Sequence, residues 1–290
     1  MKILTLNTHS LIEENYQEKL QKFAMIIQRE QPDIIALQEV NQSVSAPLAD
    51  PDRLTDYFPC QDNYVSIRQD NHAAQAAWLL HQAGLTYHWT WLALKLGYGK
   101  YDEGIALFSR QPITNTDSFR ISLTSDYGNW KMRKVLGIQT QGRNDWFYTV
   151  HMGWWNDTEE PFQSQWKHLE FCLKEKKASG IVWLMGDFNS PAEIRAEGYD
   201  FIHCSGWKDT YLLAKQKDDG ITVAGVIDGW RDKIKDSDSH TNRNGMRIDH
   251  IWCSQNVPVI SSNIVFNGSN GPVVSDHFGL MIHTKGADES

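Results

Sequence analysis

The heptapeptide MGDFNSP (residues 185–191) follows the apolar run Ile181-Val182-Trp183-Leu184. Such a short apolar run, closed by Pro191, predicts a buried strand over residues 181–187. Alternation along it places Asp187 and Asn189 on one face and Phe188 on the other. Two polar groups side by side where a buried strand ends are costly unless something uses them. An Asp/Asn turn leading into proline explains the same letters without any function. The stretch alone leaves both readings open.

Upstream of it, Phe162, Trp166, Leu169 and Leu173 recur at helical spacing and predict a helix over residues 162–176. The amino-terminal third repeats the arrangement: a strand over 2–6, an amphipathic helix over 16–31 with Leu20, Phe23, Ala24 and Ile27 on one face, then a strand over 33–39. A second helix is expected over 72–83, and strands over 87–92, 103–109, 134–141 and 146–152. After a polar, loop-rich stretch from about residue 218 to 246, strands recur over 247–253, 257–266 and 277–284. Strand–helix–strand units mixed with hairpins predict an α/β fold of two sheets with helices outside them. No repeat, low-complexity tract or long linker divides the chain, so one domain over residues 1–290 is expected.

Polar residues then fall at the strand ends in series. Asn7 closes the first strand and Glu39 the second, Glu103 opens a strand in YDEGIALFSR, and His151 closes one in FYTVHMGWW. Asp249 lies in RIDHIW, and Asp276 and His277 precede the last strand. Each alone reads equally well as a turn cap, a solvated terminus or a satisfied structural group. Together they match the habit of sheet proteins to gather ligand-handling groups at strand ends. Carboxylates and amide oxygens are hard ligands suited to Mg²⁺ or Mn²⁺, and histidines beside carboxylates suit proton handling at a phosphoryl group. No nucleophile elbow, dinucleotide fingerprint or P-loop occurs, which argues against acyl-enzyme chemistry and a nucleotide fold.

Bulk composition narrows the class further. The net charge of −8 argues against a broad basic face tracking nucleic acid. Twelve tryptophans exceed what a core of this size needs, so some are expected at a ligand pocket. Cys60, Cys172, Cys204 and Cys253 show no metal or redox spacing and read as free thiols. The amino terminus lacks a signal-peptide pattern and no apolar run approaches a membrane span, so a soluble cytoplasmic protein is expected.

Taken in order, LTLNTHS, IIALQEV, YDEGIALFSR, TVHMGWW, MGDFNSP, RIDHIW and VSDHFGL resemble the endonuclease/exonuclease/phosphatase superfamily from Lys2 to Ile282. The resemblance implies a four-layer α/β sandwich of two packed mixed sheets flanked by helices, like pancreatic deoxyribonuclease, and a divalent metal. It implies Glu39 as principal metal ligand, with Asn7 and Asp276 on the metal side. Asp187 corresponds to the acid that orients or deprotonates the attacking water, and Asn189 to its phosphate-binding neighbour. His277 corresponds to the histidine at the scissile phosphate, with Asp249 as partner. His151 corresponds to the second active-site histidine of some branches, with Glu103 as its expected partner.

Within the superfamily, LNTHS, KYDEGIALFSR, the tryptophan pair after His151, and IDGW at residues 227–230 are most similar to the bacterial maltose 6′-phosphate phosphatases. One departure is Met152-Gly153, where those enzymes carry an aromatic and a small residue. It bears on sugar preference more than on the reaction. The resemblance implies a Mg²⁺-dependent phosphomonoesterase acting on a small phosphorylated sugar. A phosphodiesterase of the same fold, nuclease-like or sphingomyelinase-like, is the alternative, and a silent binding scaffold a third reading. Trp154, Trp155 and Trp230 offer flat faces for a sugar ring, though core or rim packing accounts for them equally. Arg133 and Lys134 start a strand within reach of a phosphate dianion, or form a solvated charged pair.

Overall fold

The computed structural model describes residues 1–225 and 245–285. Thirteen strands among them form two sheets. The seven-stranded sheet runs β10(Gln216–Lys217), β12(Val259–Val265), β13(Gly279–Thr284), β1(Lys2–Asn7), β2(Ile34–Ser43), β4(Tyr101–Ser109) and β3(His88–Gly97). The six-stranded sheet runs β5(Ile113–Arg120), β6(Lys134–Thr140), β7(Trp146–His151), β8(Val182–Asp187), β11(Asp249–Cys253) and β9(Lys208–Asp209).

Period-two alternation sorts the layers. Ile3, Ile34, Ala36, Ile105 and Leu107 of one sheet meet Leu136, Phe147, Trp183, Met185 and Ile251 of the other in a core between the sheets. The opposite face of the first sheet, with Leu4, Leu6, Ile35 and Leu37, is covered by α1(Tyr16–Glu30) and α2(His72–Gln82). Those helices bury Leu20, Phe23, Ile27, Ala73, Ala76 and Leu80, residues spaced three and four apart. The outer face of the second sheet is covered by α3(Phe162–Ser179), through Trp166, Leu169 and Leu173, and by α4(Gly198–Cys204), through Tyr199 and Ile202. The result is the expected four-layer sandwich.

The helix starts and stops have local causes. The Asn71 side chain accepts the Ala74 amide at 3.1 Å and so caps α2. Pro32, two residues after Glu30, follows a left-handed Gln31 and ends α1. Several short or edge elements are absent from the sequence expectation, β5 and α4 the longest of them. Edge strand β5, ITNTDSFR, is largely polar and solvated, so it carries no buried alternation. Helix α4 is too short for a periodic signal. No helix among the described residues is long and apolar enough to cross a membrane.

Candidate functional site

β1 and β2 are parallel neighbours in one sheet, and β7 and β8 in the other. Their carboxyl ends meet at one edge of the sandwich, where the apolar interior gives way to polar side chains. The transition begins just inside, where the Gln38 amide donates across the sheets to Thr149 Oγ1 at 2.9 Å and within its own sheet to Thr5 Oγ1 at 3.2 Å. At the rim, the Asn7 amide nitrogen donates to Glu39 Oε1 at 3.0 Å and to Asp187 Oδ2 at 3.2 Å. Asn7 thereby ties one sheet to the other.

Simple alternation does not bring the next two residues to this rim; two β-bulges do. Opposite β4, β2 slips between Leu37 and Val40, and Glu39 takes φ 52°, a left-handed conformation uncommon for a glutamate. β3 slips between Ala93 and Lys95, setting Lys95 directly opposite Glu103. Glu103 shares the inner face of β4 with Ile105 and Leu107, so the slip turns Lys95 inward as well. Lys95 Nζ then lies 3.0 Å from Glu103 Oε1.

The MGDFNSP segment is built by similar local means. Gly186 has φ 148°, and a Cβ there would collide with the Val150 carbonyl oxygen of the adjacent strand. Asp187 continues the inner face of Trp183 and Met185, while Phe188 packs outward beside His250 and Trp252. Asn189, at φ 46°, donates its backbone N–H to Asp187 Oδ1 at 2.8 Å and its side-chain amide to the Met152 carbonyl at 2.9 Å. The turn therefore exists, and it holds Asp187 in place.

β11 runs antiparallel to β8 with Asp249 opposite Asp187. Asp249 Oδ2 lies 2.9 Å from His277 Nδ1, and His277 Nε2 lies 3.8 Å from Asp187 Oδ2. Burial disfavours charge on His277, but Asp249 and Asp187 outweigh it and hold the imidazole well above its ordinary value. Burial, opposed by His277 and assisted by Asp249, raises the Asp187 carboxyl. His151 Nε2 approaches Asp187 Oδ2 at 3.7 Å; burial, then Arg133 and Lys95, keep this ring neutral.

Among the described residues, two groups of side chains have metal-ligand atoms within 4.8 Å of one another: Asp187, Asp249 and His277, and His9, Glu13 and Asp276. In the first, the His277 Nδ1 position is already taken by Asp249. Glu39 fits a divalent cation on electrostatic grounds. Burial and then the neighbouring Glu103 charge push its carboxyl upward, a condition that a cation relieves. Its oxygens, with those of Asn7 and Asp276, are the hard donors such an ion takes.

Most of the sequence-predicted residues converge on one cavity of about 280 Å³, lined by Glu39, Glu103, Arg133, His151, Trp154, Asp187, Asn189, Asp276 and His277. Asn7 and Asp249 lie immediately behind it, bonded to Asp187 and His277. Three expectations need correction or lie outside. Glu103 pairs with Lys95 rather than with His151. Trp155 is turned away into the α3/α4 layer, its ring 5.8 Å from both Phe162 and Phe201. Trp230 lies outside the described residues.

The cavity also contains residues that the sequence reading missed, namely His9, Lys95, Tyr98 and Trp130. His9 Nδ1 is 2.8 Å from Glu13 Oε1; burial opposes its charge, but Glu13, Asp276 and Glu39 raise its pKa to about 9. His9 sits two residues past Asn7, a proximity that marks it in the sequence. Trp130 packs against Trp154 with ring centroids 5.6 Å apart and remains 51% exposed at the mouth.

Comparison with known proteins gives a consistent picture. The model of the endonuclease/exonuclease/phosphatase family matches residues 4–277. An endonuclease/exonuclease/phosphatase family protein from Leptotrichia buccalis C-1013-b is 32% identical, with 99% of this chain and 100% of that chain covered and a TM-score of 0.82. A mannosyl-6-phosphatase from Bacteroides thetaiotaomicron VPI-5482 shares the fold at 16% identity, with TM-score 0.64 over 99% of this chain and 100% of that one. A 3′ phosphatase from Neisseria, bound to a product DNA hairpin, does so at 18% identity, TM-score 0.60 and the same coverage. No curated protein matches. The chain belongs to the endonuclease/exonuclease/phosphatase family, a family of metal-dependent phosphoester hydrolases.

Proposed function

We propose that the protein is a Mg²⁺-dependent phosphomonoesterase that releases inorganic phosphate from a phosphorylated sugar, maltose 6′-phosphate being the specific candidate. The observation that carries this reading is the shape of the site. Asp187 and His277, backed by Asn7, line a cavity that also holds Trp130, Trp154 and Tyr98, and the described residues form no open basic groove there. Indole faces of this kind pack on the apolar faces of sugar rings. The net charge of −8 disfavours a polyanionic backbone as substrate.

In this reading Glu39, with Asn7 and Asp276, holds the divalent ion. When bound, that ion supplies positive charge to the phosphoryl oxygens and promotes ionisation of water. Asp187 accepts a proton from the attacking water; its upward-shifted carboxyl is better matched to that task at neutral pH than an ordinary aspartate. Asn7 and the Asn189 backbone N–H orient the two oxygens of Asp187. His277, held charged by Asp249, neutralises charge building on the phosphoryl group. Neutral His151 is placed to donate a hydrogen bond on the same side.

The test is phosphate release by purified protein with Mg²⁺ from maltose 6′-phosphate and other sugar phosphates, alongside plasmid DNA and sphingomyelin. Turnover of a sugar phosphate with intact plasmid supports the reading. Plasmid nicking with no phosphate release from any sugar phosphate contradicts it.

A further inference from the structure

Lys95 and Arg133 are two cations in one cavity wall, 6% and 2% exposed. Neither position is inexpensive. Lys95 reaches the cavity only through the bulge in β3, and burial and the Arg133 charge both work against its protonation. Glu103 pairs with Lys95 at 3.0 Å and is also the foremost of the carboxylates that favour the Arg133 charge against its burial. No ion pair fixes the Arg133 guanidinium among the described residues; its Nη1 donates to the carbonyls of Trp130 at 2.9 Å and Met132 at 3.1 Å. Its Nε is buried without a hydrogen-bond partner among the described residues. A buried donor left unpaired beside a second cation is costly unless an anion completes the arrangement.

We infer that Lys95 and Arg133 together form a subsite for the non-bridging oxygens of a dianionic phosphoryl group, and that this pair sets the preference for phosphomonoesters over phosphodiesters. The inference rests on the phosphomonoesterase reading above and adds to it the source of selectivity. A monoester carries two negative charges above its second ionisation near pH ~6, whereas a diester carries one. Two cations in the cavity wall favour the dianion by Coulomb attraction, and a diester's second substituent would have to enter that wall in place of a charged oxygen. Glu103 acts as the counter-ion that keeps Lys95 in position, with Gly97 leaving room for its carboxylate.

The experiment compares p-nitrophenyl phosphate with bis(p-nitrophenyl) phosphate, with Mg²⁺ at about pH 8, where the monoester is fully dianionic. Lys95→Met and Arg133→Met are each expected to lower kcat/KM for the monoester by about 10²-fold, the loss typical of one electrostatic donor. The diester value is expected to fall far less, so the monoester-to-diester ratio collapses. Inhibition by orthophosphate weakens in parallel. Because Lys95→Met strands a buried Glu103 charge, Lys95→Met/Glu103→Gln serves as the second variant and is expected to show the same collapse. Equal losses on both esters, or unchanged orthophosphate inhibition, overturn the subsite while leaving the monoesterase reading intact. A wild-type protein that cleaves only the diester overturns that reading first, and the subsite with it.

Discussion

His277 Nδ1 lies 2.9 Å from Asp249 Oδ2, with both side chains enclosed and Asp187 on the far side of the ring. The carboxylate fixes which ring nitrogen faces the cavity and holds the imidazole charged. Asp249→Asn keeps the shape and removes the charge. Steady-state assays on a sugar phosphate are expected to show kcat/KM lowered by about 10²–10⁴-fold, with an unaltered circular-dichroism spectrum. A loss under about tenfold contradicts the role given to the pair.

Burial and then the Glu103 charge push the Glu39 carboxyl upward, a condition that a bound cation would relieve. Mg²⁺ is expected to raise the melting temperature of the wild-type protein. The free-energy gain is about 2.7 kcal/mol when the ion is at a hundred times its Kd. In Glu39→Gln, the metal-free protein is expected to melt no lower than wild type, since a repelled buried charge is gone, and the Mg²⁺-induced shift is expected to shrink. A full shift in the variant moves the ion away from Glu39.

Trp130 and Trp154 face each other at the mouth with centroids 5.6 Å apart, and Trp130 is the more open. Trp130→Ala is expected to raise KM for maltose 6′-phosphate by roughly two- to tenfold, the equivalent of one aromatic contact. KM for glycerol phosphate, which has no ring to stack, is expected to hold. Parallel changes for both substrates leave the rim without a part in sugar recognition.

His72 and His250 are buried and neutral, each pushed by burial to about 3. His250 Nε2 lies 3.0 Å from the Ser190 carbonyl and Nδ1 lies 3.0 Å from Arg247 Nη1, so the ring donates through Nε2 and accepts through Nδ1. Between about pH 3 and 6.5 the unfolded chain binds protons at these histidines that the folded chain refuses, so each one costs stability as pH falls through that window. Chemical denaturation at about pH 6 and pH 5 measures the effect. His72→Gln is expected to lose about 1 kcal/mol less stability than wild type over that step. Equal losses in the two proteins contradict a neutral, buried His72.

The expectations from sequence succeeded where a signal was local. Apolar periodicity located α1, α2, α3 and the central strands, and alternation set Asp187 and Phe188 on opposite faces of β8, as the structure has them. The failures have physical causes. Lys95 enters the site through a bulge, an extra residue that reverses the face expected from period two. Glu103 meets Lys95 because that register shift puts them opposite, and no spacing in one strand reveals a partner in another. Trp154 and Trp155 follow β7 in irregular backbone, where no periodicity gives a side chain's direction; one lines the cavity while the other packs on Phe162 and Phe201.

The central claim is that Asp187 activates water for hydrolysis of a sugar phosphomonoester. Its most direct test is the initial rate of orthophosphate release from maltose 6′-phosphate with Mg²⁺, for wild type and Asp187→Asn side by side. The account predicts sustained release by wild type and a rate at least about a hundredfold lower in the variant, with the same circular-dichroism spectrum. A variant retaining more than about a tenth of the wild-type rate, or a wild type that releases no phosphate from any sugar phosphate, contradicts it.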